Sequence, residues 1–329
     1  VFRGYKFGKE YYNMIVNAGY RGKVGAGAPK FTYTGTYNIR KDGVVELLTS
    51  GTIVFLEPKV IDVFMVGGGG AGGCLISEYG DSTTTGGGGG GGYTRTVRKL
   101  TVLANNNYTV TVGAGGTAAT QYASGISTDG GASSFNVYTV NGGIKGQYSR
   151  TASNIANGAG GNGGSGGGGS VQSNSDYGTG GSDGGNGESG YPTSVLGGKG
   201  QGFTTREFGE ATGKLYAGGG GGGRYMSSNT PIISIGGSGG GGAGAWSGNS
   251  KNLYQEASAG GANTGGGGGG NAVYRNSTFG IGNFTYGGSG GSGIVCFRDA
   301  QELPELAGTW VLNERLYAPE SDVYFTNQD

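Results

Sequence analysis

Residues 66–97 read VGGGGAGGCLISEYGDSTTTGGGGGGGYTRTV, and this stretch decides what kind of fold the chain can adopt. An apolar run ends at Val66, and two runs made almost entirely of glycine follow, separated by the mixed residues 74–85. Glycine loses more backbone freedom on folding than any other residue, and it has no side chain to bury. Something other than side-chain packing must therefore stabilise such runs if they are ordered.

Glycine is abundant throughout the chain, which contains 84 glycines among 329 residues. A collagen triple helix requires a strict Gly-X-Y period with abundant proline, whereas this chain has unbroken glycine runs and only six prolines. A flexible Gly/Ser linker would avoid apolar side chains, yet the chain has 21 tyrosines and 12 phenylalanines. Neither composition fits the whole chain, although a disordered linker remains the alternative locally.

The third explanation is that the glycine runs pack against one another. A polyglycine II helix has three residues per turn and no internal hydrogen bonds, so its N–H and C=O groups need lateral partners. Only hydrogen side chains allow such rods to approach closely enough. The runs have similar lengths, which favours a bundle of about eight rods, concentrated in 67–92 and 158–293. They lie at 67–73, 86–92, 158–169, 178–190, 218–223, 236–244, 260–270 and 287–293.

The remaining sequence predicts short β-strands. Alternating β-branched and aromatic residues are typical of half-buried strands, and no segment has a sustained helical period. The strands are expected at 31–39, 51–57, 59–66, 93–102, 107–112, 133–141 and 293–298. The predicted fold is all-β, an antiparallel sandwich with an inserted bundle of polyglycine II helices and almost no α-helix.

Composition divides the chain into three parts. Residues 1–30 are rich in tyrosine and basic residues and read as an attachment arm or lead-in. Residues 31–300 form the sandwich with its bundle. Residues 301–329 contain one glycine and are more acidic, which indicates the start of a further module or a C-terminal tail.

Composition argues against several function classes. The chain has 22 basic and 21 acidic residues, so nothing favours nucleic acid or an anionic membrane, and no apolar stretch reaches the ~20 residues that span a bilayer. Histidine is absent, which removes the commonest general base and metal ligand. Gly67, Gly69 and Gly72 match a dinucleotide-binding pattern, but no helix follows them. We expect no catalytic residues, no metal and no cofactor.

Several segments resemble a known family when taken in order. ELLTSGTIVFLEPKVIDVFMVGGGGAGG (46–73), GGGYTRTVRKLTVLANNNYTVTVGAGG (90–116) and GGSGGSGIVCFRDA (287–300) are similar to the glycine-rich domain of bacteriophage and prophage tail-fibre or adhesin proteins. The resemblance covers about residues 44–300. It implies a virion tail fibre or an extracellular surface as the location. A further resemblance, to the glycine-rich ectodomain of anaplastic lymphoma kinase receptors, implies a jelly-roll sandwich interleaved with polyglycine II helices.

Two functional classes remain open, with a third less favoured. The first is a non-enzymatic phage adhesin that binds a bacterial surface protein or polysaccharide and contacts other virion tail or fibre proteins. The second is a structural fibre or decoration protein with no specific receptor. The third is an ice- or polysaccharide-binding surface protein. The oligomeric state stays open, with a homotrimer as one expectation.

The order of strands and runs predicts which loops lie at the far end of the bundle. If each run is one rod, 74–85, 170–177, 224–235 and 271–286 lie at the tip, whereas 191–217 and 245–259 lie near the sandwich. Rigid aromatic residues and arginine are typical of binding hot spots. The predicted receptor-binding residues are therefore Tyr79, Asp81, Asp176, Tyr177, Arg224, Tyr225, Met226, Tyr274, Arg275, Phe279, Phe284 and Tyr286. In the alternative interpretation, these aromatic residues only cap the bundle.

Overall fold

The structure is a computed structural model, and it confirms the all-β prediction for the part of the chain that it describes. That part comprises residues 30–74, 82–119, 127–150, 158–170, 185–187, 204–225, 234–248, 250, 252–276, 281–300, 309–312 and 325–328. Within these ranges there are 19 strands and no α-helix, with one short 3₁₀ turn at Glu207–Gly209. No helix in these ranges is long and apolar enough to cross a membrane.

Two five-stranded antiparallel sheets form a sandwich. The first has the strand order β1 (Phe31–Tyr33), β4 (Gly51–Phe55), β8 (Asn107–Thr111), β9 (Ser133–Phe135) and β10 (Tyr138–Val140). The second has the order β2 (Tyr37–Ile39), β3 (Val45–Leu47), β17 (Ile294–Asp299), β5 (Lys59–Val66) and β7 (Thr94–Val102). The predicted strands at 31–39 and 133–141 are each two strands, separated by a turn.

One hydrophobic core lies between these sheets. In β8 the side chains alternate between exposed and buried, so Tyr108 and Val110 point inward, as the pattern NYTVT predicts. The Phe297 ring on the second sheet packs edge-on against Phe55 on the first, with ring centroids 5.5 Å apart. Burying each such side chain contributes about 1.5–3 kcal/mol. This hydrophobic core therefore holds the two sheets of the sandwich together.

Nine strands lie outside the sandwich. Seven of them form two small sheets, in the orders β11 (Tyr148–Arg150), β6 (Ser82–Gly86), β15 (Ala272–Asn276), β16 (Ile281–Asn283), and β12 (Arg224–Tyr225), β13 (Trp246–Ser247), β14 (Tyr254–Gln255). The other two, β18 (Thr309–Leu312) and β19 (Phe325–Gln328), pair with each other in antiparallel orientation. None of the seven strands in the two small sheets lies within the strands expected from the sequence.

The glycine-rich segments between the sandwich and the small sheets form one hydrogen-bonded body, which we call the glycine bundle. It comprises residues 67–73, 86–92, 113–118, 127–132, 141–147, 158–170, 218–223, 234–245, 256–271 and 286–293. Within 67–73, every third N–H donates to the same neighbouring segment, in the pairs Gly67–Tyr93, Gly70–Gly90 and Gly73–Gly87. The intervening N–H groups bond to 127–132 and 286–293 with the same period.

Segment 67–73 is surrounded on all sides by other segments of the bundle. It donates to 86–92 with Tyr93, to 127–132 and to 286–293, while its carbonyl groups accept from 113–118, 141–147 and 265–271. A strand in a β-sheet has hydrogen-bonded neighbours on two sides only. The N–H and C=O groups of this segment instead bond to neighbours on several sides. The segments 113–118, 127–132 and 141–147 contribute although they are only partly glycine, so the bundle is larger than the eight runs predict.

Three long glycine runs turn back on themselves instead of crossing the bundle once. In 236–244, the N–H of Gly241 donates to the Gly237 carbonyl across a turn in which Gly239 and Gly240 have φ near +96° and +98°. Run 158–169 and run 260–270 also contain hairpins, with turns at 163–165 and 262–265. The prediction of one rod per run is therefore wrong for these three.

Because of these hairpins, some loops lie at the opposite end of the bundle from the one predicted. Segment 240–244 runs away from the sandwich. It lies parallel to the outward segment 218–223, and the Gly221 N–H donates to the Gly242 carbonyl. The prediction that 245–259 lies near the sandwich is wrong, since β13 pairs in parallel with β12 at the opposite end. The described parts of 74–85, 224–235 and 271–286 do lie at that opposite end, which we call the distal end.

The segment 204–217 lies against the sandwich, as predicted, and buried ion pairs fix it there. Both carboxylate oxygens of Glu207 accept from the guanidinium of Arg40 at 2.8 Å, and the Tyr216 hydroxyl donates to Oε1 at 3.2 Å. Hydrogen bonds to Asp42 and Glu207 raise the pKa of Arg40 above its ordinary value. The Phe208 and Tyr216 rings pack on Phe64 of β5. This contact anchors the start of the outward segment 218–223.

Candidate functional site

The distal end of the glycine bundle is built from the two small sheets. Segment 67–73 leaves β5 directly and reaches this end at Cys74, and segment 86–92 returns from β6 to β7. The outward segments 218–223 and 265–271 lead into β12 and β15. Strands β12 and β15 therefore emerge from glycine segments whose backbones are bonded on several sides. Such a base holds the side chains of these strands in fixed positions.

Two predicted site residues come together here, although their sequence numbers differ by 49. The rings of Tyr225 on β12 and Tyr274 on β15 are stacked, with centroids 5.0 Å apart and an interplanar angle of 11°. Both side chains are half-buried, and burial raises the pKa of Tyr225, with a further contribution from the Tyr274 hydroxyl. A stacked aromatic pair contributes about 0.5–1.5 kcal/mol beyond its buried area. The pair is therefore a rigid aromatic surface.

A third tyrosine extends the same face. In the three-stranded sheet, Tyr225 is in register with Ser247 and Ser247 with Tyr254, so their side chains share one face. The Tyr254 side chain is 44% exposed. Tyr286 is 41% exposed and its N–H donates to the carboxylate of Glu256 at 3.1 Å. We call Tyr225, Tyr274, Tyr254 and Tyr286 the tyrosine cluster.

Buried polar side chains organise the backbone beneath this cluster. The side-chain amide of Asn283, which is fully buried, donates to the carbonyls of Gly248, Ser250 and Leu253 and accepts from the Asn252 N–H. These bonds fix the turn between β13 and β14 against β16. Replacing this amide would remove these hydrogen bonds, each of which contributes about 0.5–1.5 kcal/mol.

The other face of the β12–β13 pair carries Arg224 and Trp246, which are cross-strand neighbours in register. Arg224 is half-buried, and burial lowers the pKa of its guanidinium, while Trp246 is only 2% exposed. Within the described ranges, the Nε of Arg224 and the Nε1 of Trp246 are buried and have no hydrogen-bond acceptor. Two N–H donors thus meet at one face of this ribbon.

The remaining predicted residues have different outcomes. Phe284 packs in a small cluster with Cys74, Ala119 and Val273, which favours a capping role for this ring. Arg275 lies in β15. Both cysteines are free thiols and buried, so Cys74 and Cys296 do not pair. The predicted residues Tyr79, Asp81, Asp176, Tyr177, Met226 and Phe279 lie outside the described residues.

Sequence reasoning missed Trp246 and Tyr254 as distal residues. The error follows from treating run 236–244 as a single rod, which placed 245–259 at the sandwich. The run is nine residues long and is interrupted by Ser238 and Ala243, but nothing in it marks where the chain turns. A run of that length can hold a tight turn of glycines with positive φ.

The described residues contain no group of three or more cysteine, aspartate or glutamate side chains that could hold a metal ion. In comparisons with known proteins, residues 48–299 match the model of a family described as a glycine-rich domain. The matched span begins just after β3 and ends with β17, so it includes most of the sandwich and the whole glycine bundle. No curated protein matches the chain.

Proposed function

The chain belongs to the glycine-rich domain family, and from that premise we propose that it is a non-enzymatic bacteriophage tail-fibre or adhesin protein. It binds a bacterial surface molecule through the distal end of the glycine bundle. The virion tail fibre, or another extracellular surface, is its proposed location, and other tail proteins are its proposed partners. Support comes from the resemblance of 44–300 to phage tail-fibre proteins.

The glycine segments are, in this proposal, polyglycine II rods, and the sandwich is a jelly roll. Support comes from the period of three in the lateral hydrogen bonds of segment 67–73, which equals the number of residues per turn of that helix. Rods that bond to neighbours on several sides resist bending. A bundle of such rods would hold a binding surface at a fixed distance from the virion.

The observation that carries the binding role is the tyrosine cluster. Tyrosine presents a large amphipathic surface with little conformational entropy to lose on binding, and such residues dominate binding hot spots. The stacked rings of Tyr225 and Tyr274 come from separate glycine segments and meet only because the bundle brings β12 and β15 together. A bundle that served only as a spacer would not require exposed tyrosines at that end.

Replacing both stacked rings tests the proposal. We expect Tyr225→Ala with Tyr274→Ala to lower adsorption of the fluorescently labelled full chain to receptive bacteria about tenfold or more, because two hot-spot contacts are lost. The measurement is cell-bound fluorescence across a panel of strains, with thermal melts to verify folding.

A matched control removes two tyrosines at the sandwich, Tyr37→Ala with Tyr138→Ala, and should leave adsorption within twofold. Equal adsorption by the distal variant and the wild type would contradict the binding role of the tyrosine cluster. If the folded wild-type chain adsorbs to no strain in the panel, the structural fibre role is favoured instead.

A further inference from the structure

One edge of the second sandwich sheet is open among the described residues. β2 is the outermost strand there, and no described strand pairs with its free side. The Arg40 N–H donates to the Val44 carbonyl, and antiparallel strands alternate between bonded and non-bonded pairs. The N–H and C=O groups of Tyr37 and Ile39 therefore point away from β3, because each lies an odd number of positions from Arg40. All three residues of β2 are exposed, so this edge offers backbone donors and acceptors to a further strand.

The hydrophobic core is uncovered at the same edge. Ile39 is in register with Val45, which belongs to the core, so both side chains point to the inner face of the sheet. Val45 is 6% exposed, whereas Ile39 is 47% exposed. The Tyr37 ring packs edge-on against Phe31 of β1, with ring centroids 5.2 Å apart, and is still 36% exposed. An apolar side chain beside β2 would extend the core over Ile39.

The opposite edge of this sheet is protected in a way that β2 is not. β7 carries Arg95, Arg98 and Lys99, and its pairing with β5 is irregular between Ile61 and Val63. Charged side chains and bulges keep an edge strand from pairing with another chain. β2 has the sequence YNI, which contains no charged residue and no proline. Its edge is therefore suited to a partner strand.

The lead-in segment 1–29 joins the sandwich beside this edge. It lies outside the described residues and continues into Lys30, whose carbonyl accepts from the Leu56 N–H at the start of β1. Within it, residues 11–16 read YYNMIV, a stretch dominated by aromatic and β-branched residues and without charge, glycine or proline. Residues 17–29 can span up to about 45 Å, whereas the two sheets of a sandwich lie about 10 Å apart. Residues 11–16 can therefore reach β2.

We propose that residues 11–16 pair with β2 as an added edge strand of the second sheet. Alternate side chains of a strand share one face, so Tyr12, Met14 and Val16 lie together on the core side and cover Ile39. A tethered segment acts at an effective concentration of about 1 mM, which exceeds that of a second copy of the chain in a micromolar solution. The tether therefore favours this segment over a copy. The inference is independent of the proposed function, since it concerns the sandwich and not the distal end.

Amide hydrogen exchange of the full chain, resolved by nuclear magnetic resonance, tests this pairing. The Tyr37 and Ile39 amides should exchange at least tenfold more slowly in the wild type than in the variant Met14→Asp with Val16→Asp. The reason is that two carboxylates cannot lie against the core without partners, so the added strand is lost. Protected amides of β5 verify that each protein is folded.

The matched control, Phe2→Asp with Phe7→Asp, adds the same charge to segment 1–29 outside residues 11–16 and should leave both exchange rates within twofold. Equal exchange in the wild type and the Met14/Val16 variant would overturn the proposal. Exchange of both amides at the rate of an unfolded chain in the wild type would show that the edge is open. Slow exchange that persists in the Met14/Val16 variant and becomes faster on dilution would show that a second copy covers the edge instead.

Discussion

Gly89→Ala is expected to lower the free energy of unfolding by about 3 kcal/mol or more, through a single added methyl group. A Cβ at this position would lie 2.0 Å from the Gly70 carbonyl oxygen, which is backbone and cannot move aside alone. Gly89 also donates to the Gly268 carbonyl and accepts from the Gly220 N–H, both at 2.8 Å. The methyl group must separate these segments, so their lateral bonds weaken together. Urea unfolding monitored by circular dichroism measures the effect.

A second glycine of the bundle provides the matched control. At Gly131 a Cβ would lie 3.1 Å from its nearest neighbour, the backbone nitrogen of Ala114, so a small adjustment accommodates it. Gly131→Ala should therefore change the free energy of unfolding by less than about 1 kcal/mol. Gly220→Ala, with a Cβ 2.0 Å from the Gly268 oxygen, should behave like Gly89→Ala. Equal stability of all three variants would contradict close packing of the glycine segments.

Glu207→Ala is expected to lower the free energy of unfolding by about 3 kcal/mol, because it removes one partner of a buried ion pair. The Glu207 side chain is 6% exposed, and its loss removes the bidentate acceptor of Arg40 and the carboxylate to which the buried Tyr216 hydroxyl donates. Segment 204–217 would then loosen from β5, and the outward segment 218–223 with it. Urea unfolding of variant and wild type gives the difference.

An exposed glutamate serves as the control for this change. Glu57 pairs with Lys30 at 2.9 Å, but both side chains are well exposed, so the ion pair is screened by solvent. Glu57→Ala should cost less than about 1 kcal/mol. If Glu207→Ala and Glu57→Ala are equally stable, the ion pair between Glu207 and Arg40 does not anchor segment 204–217.

The sandwich strands could be predicted from the sequence because their side chains alternate. In β8 the pattern NYTVT places Tyr108 and Val110 inward, and the strand predicted at 59–66 has the bounds of β5. The glycine bundle could also be predicted from the glycine runs. Such runs have no side chains to bury, so only hydrogen bonds between their backbones can keep them ordered. These features depend on local composition, which a sequence displays directly.

The path of the chain through the bundle could not be predicted in the same way. A glycine run has no side chains to mark where it turns, so the hairpins in 158–169, 236–244 and 260–270 left no clear signal. Segments such as 141–147 joined the bundle with few glycines, because outward-facing positions such as Ile144 tolerate side chains. The number of rods and their directions depend on lateral hydrogen bonds between distant segments.

Only part of the candidate site could be predicted, because the path of the chain through the bundle decides which residues lie at the distal end. Tyr225 and Tyr274 lie at the distal end as predicted, because run 218–223 and the second half of run 260–270 lead outward into their strands. Trp246 and Tyr254 were misplaced, because the hairpin before them reverses the direction of the chain. The pairing of Arg224 with Trp246 depends on a parallel register between two-residue strands, which no local pattern encodes.

Hydrogen exchange of the glycine amides tests most directly whether these segments form an ordered, laterally bonded bundle. Exchange of the full chain followed by mass spectrometry can isolate the peptide between Phe64 and Leu75, which contains segment 67–73. We expect the amides of this segment to exchange at least a hundredfold, on the order of 3 kcal/mol, more slowly than in the urea-unfolded chain, because each donates to a neighbouring segment. Exchange of the same amides at the rate of the unfolded chain, while strand β5 stays protected, would contradict the bundle.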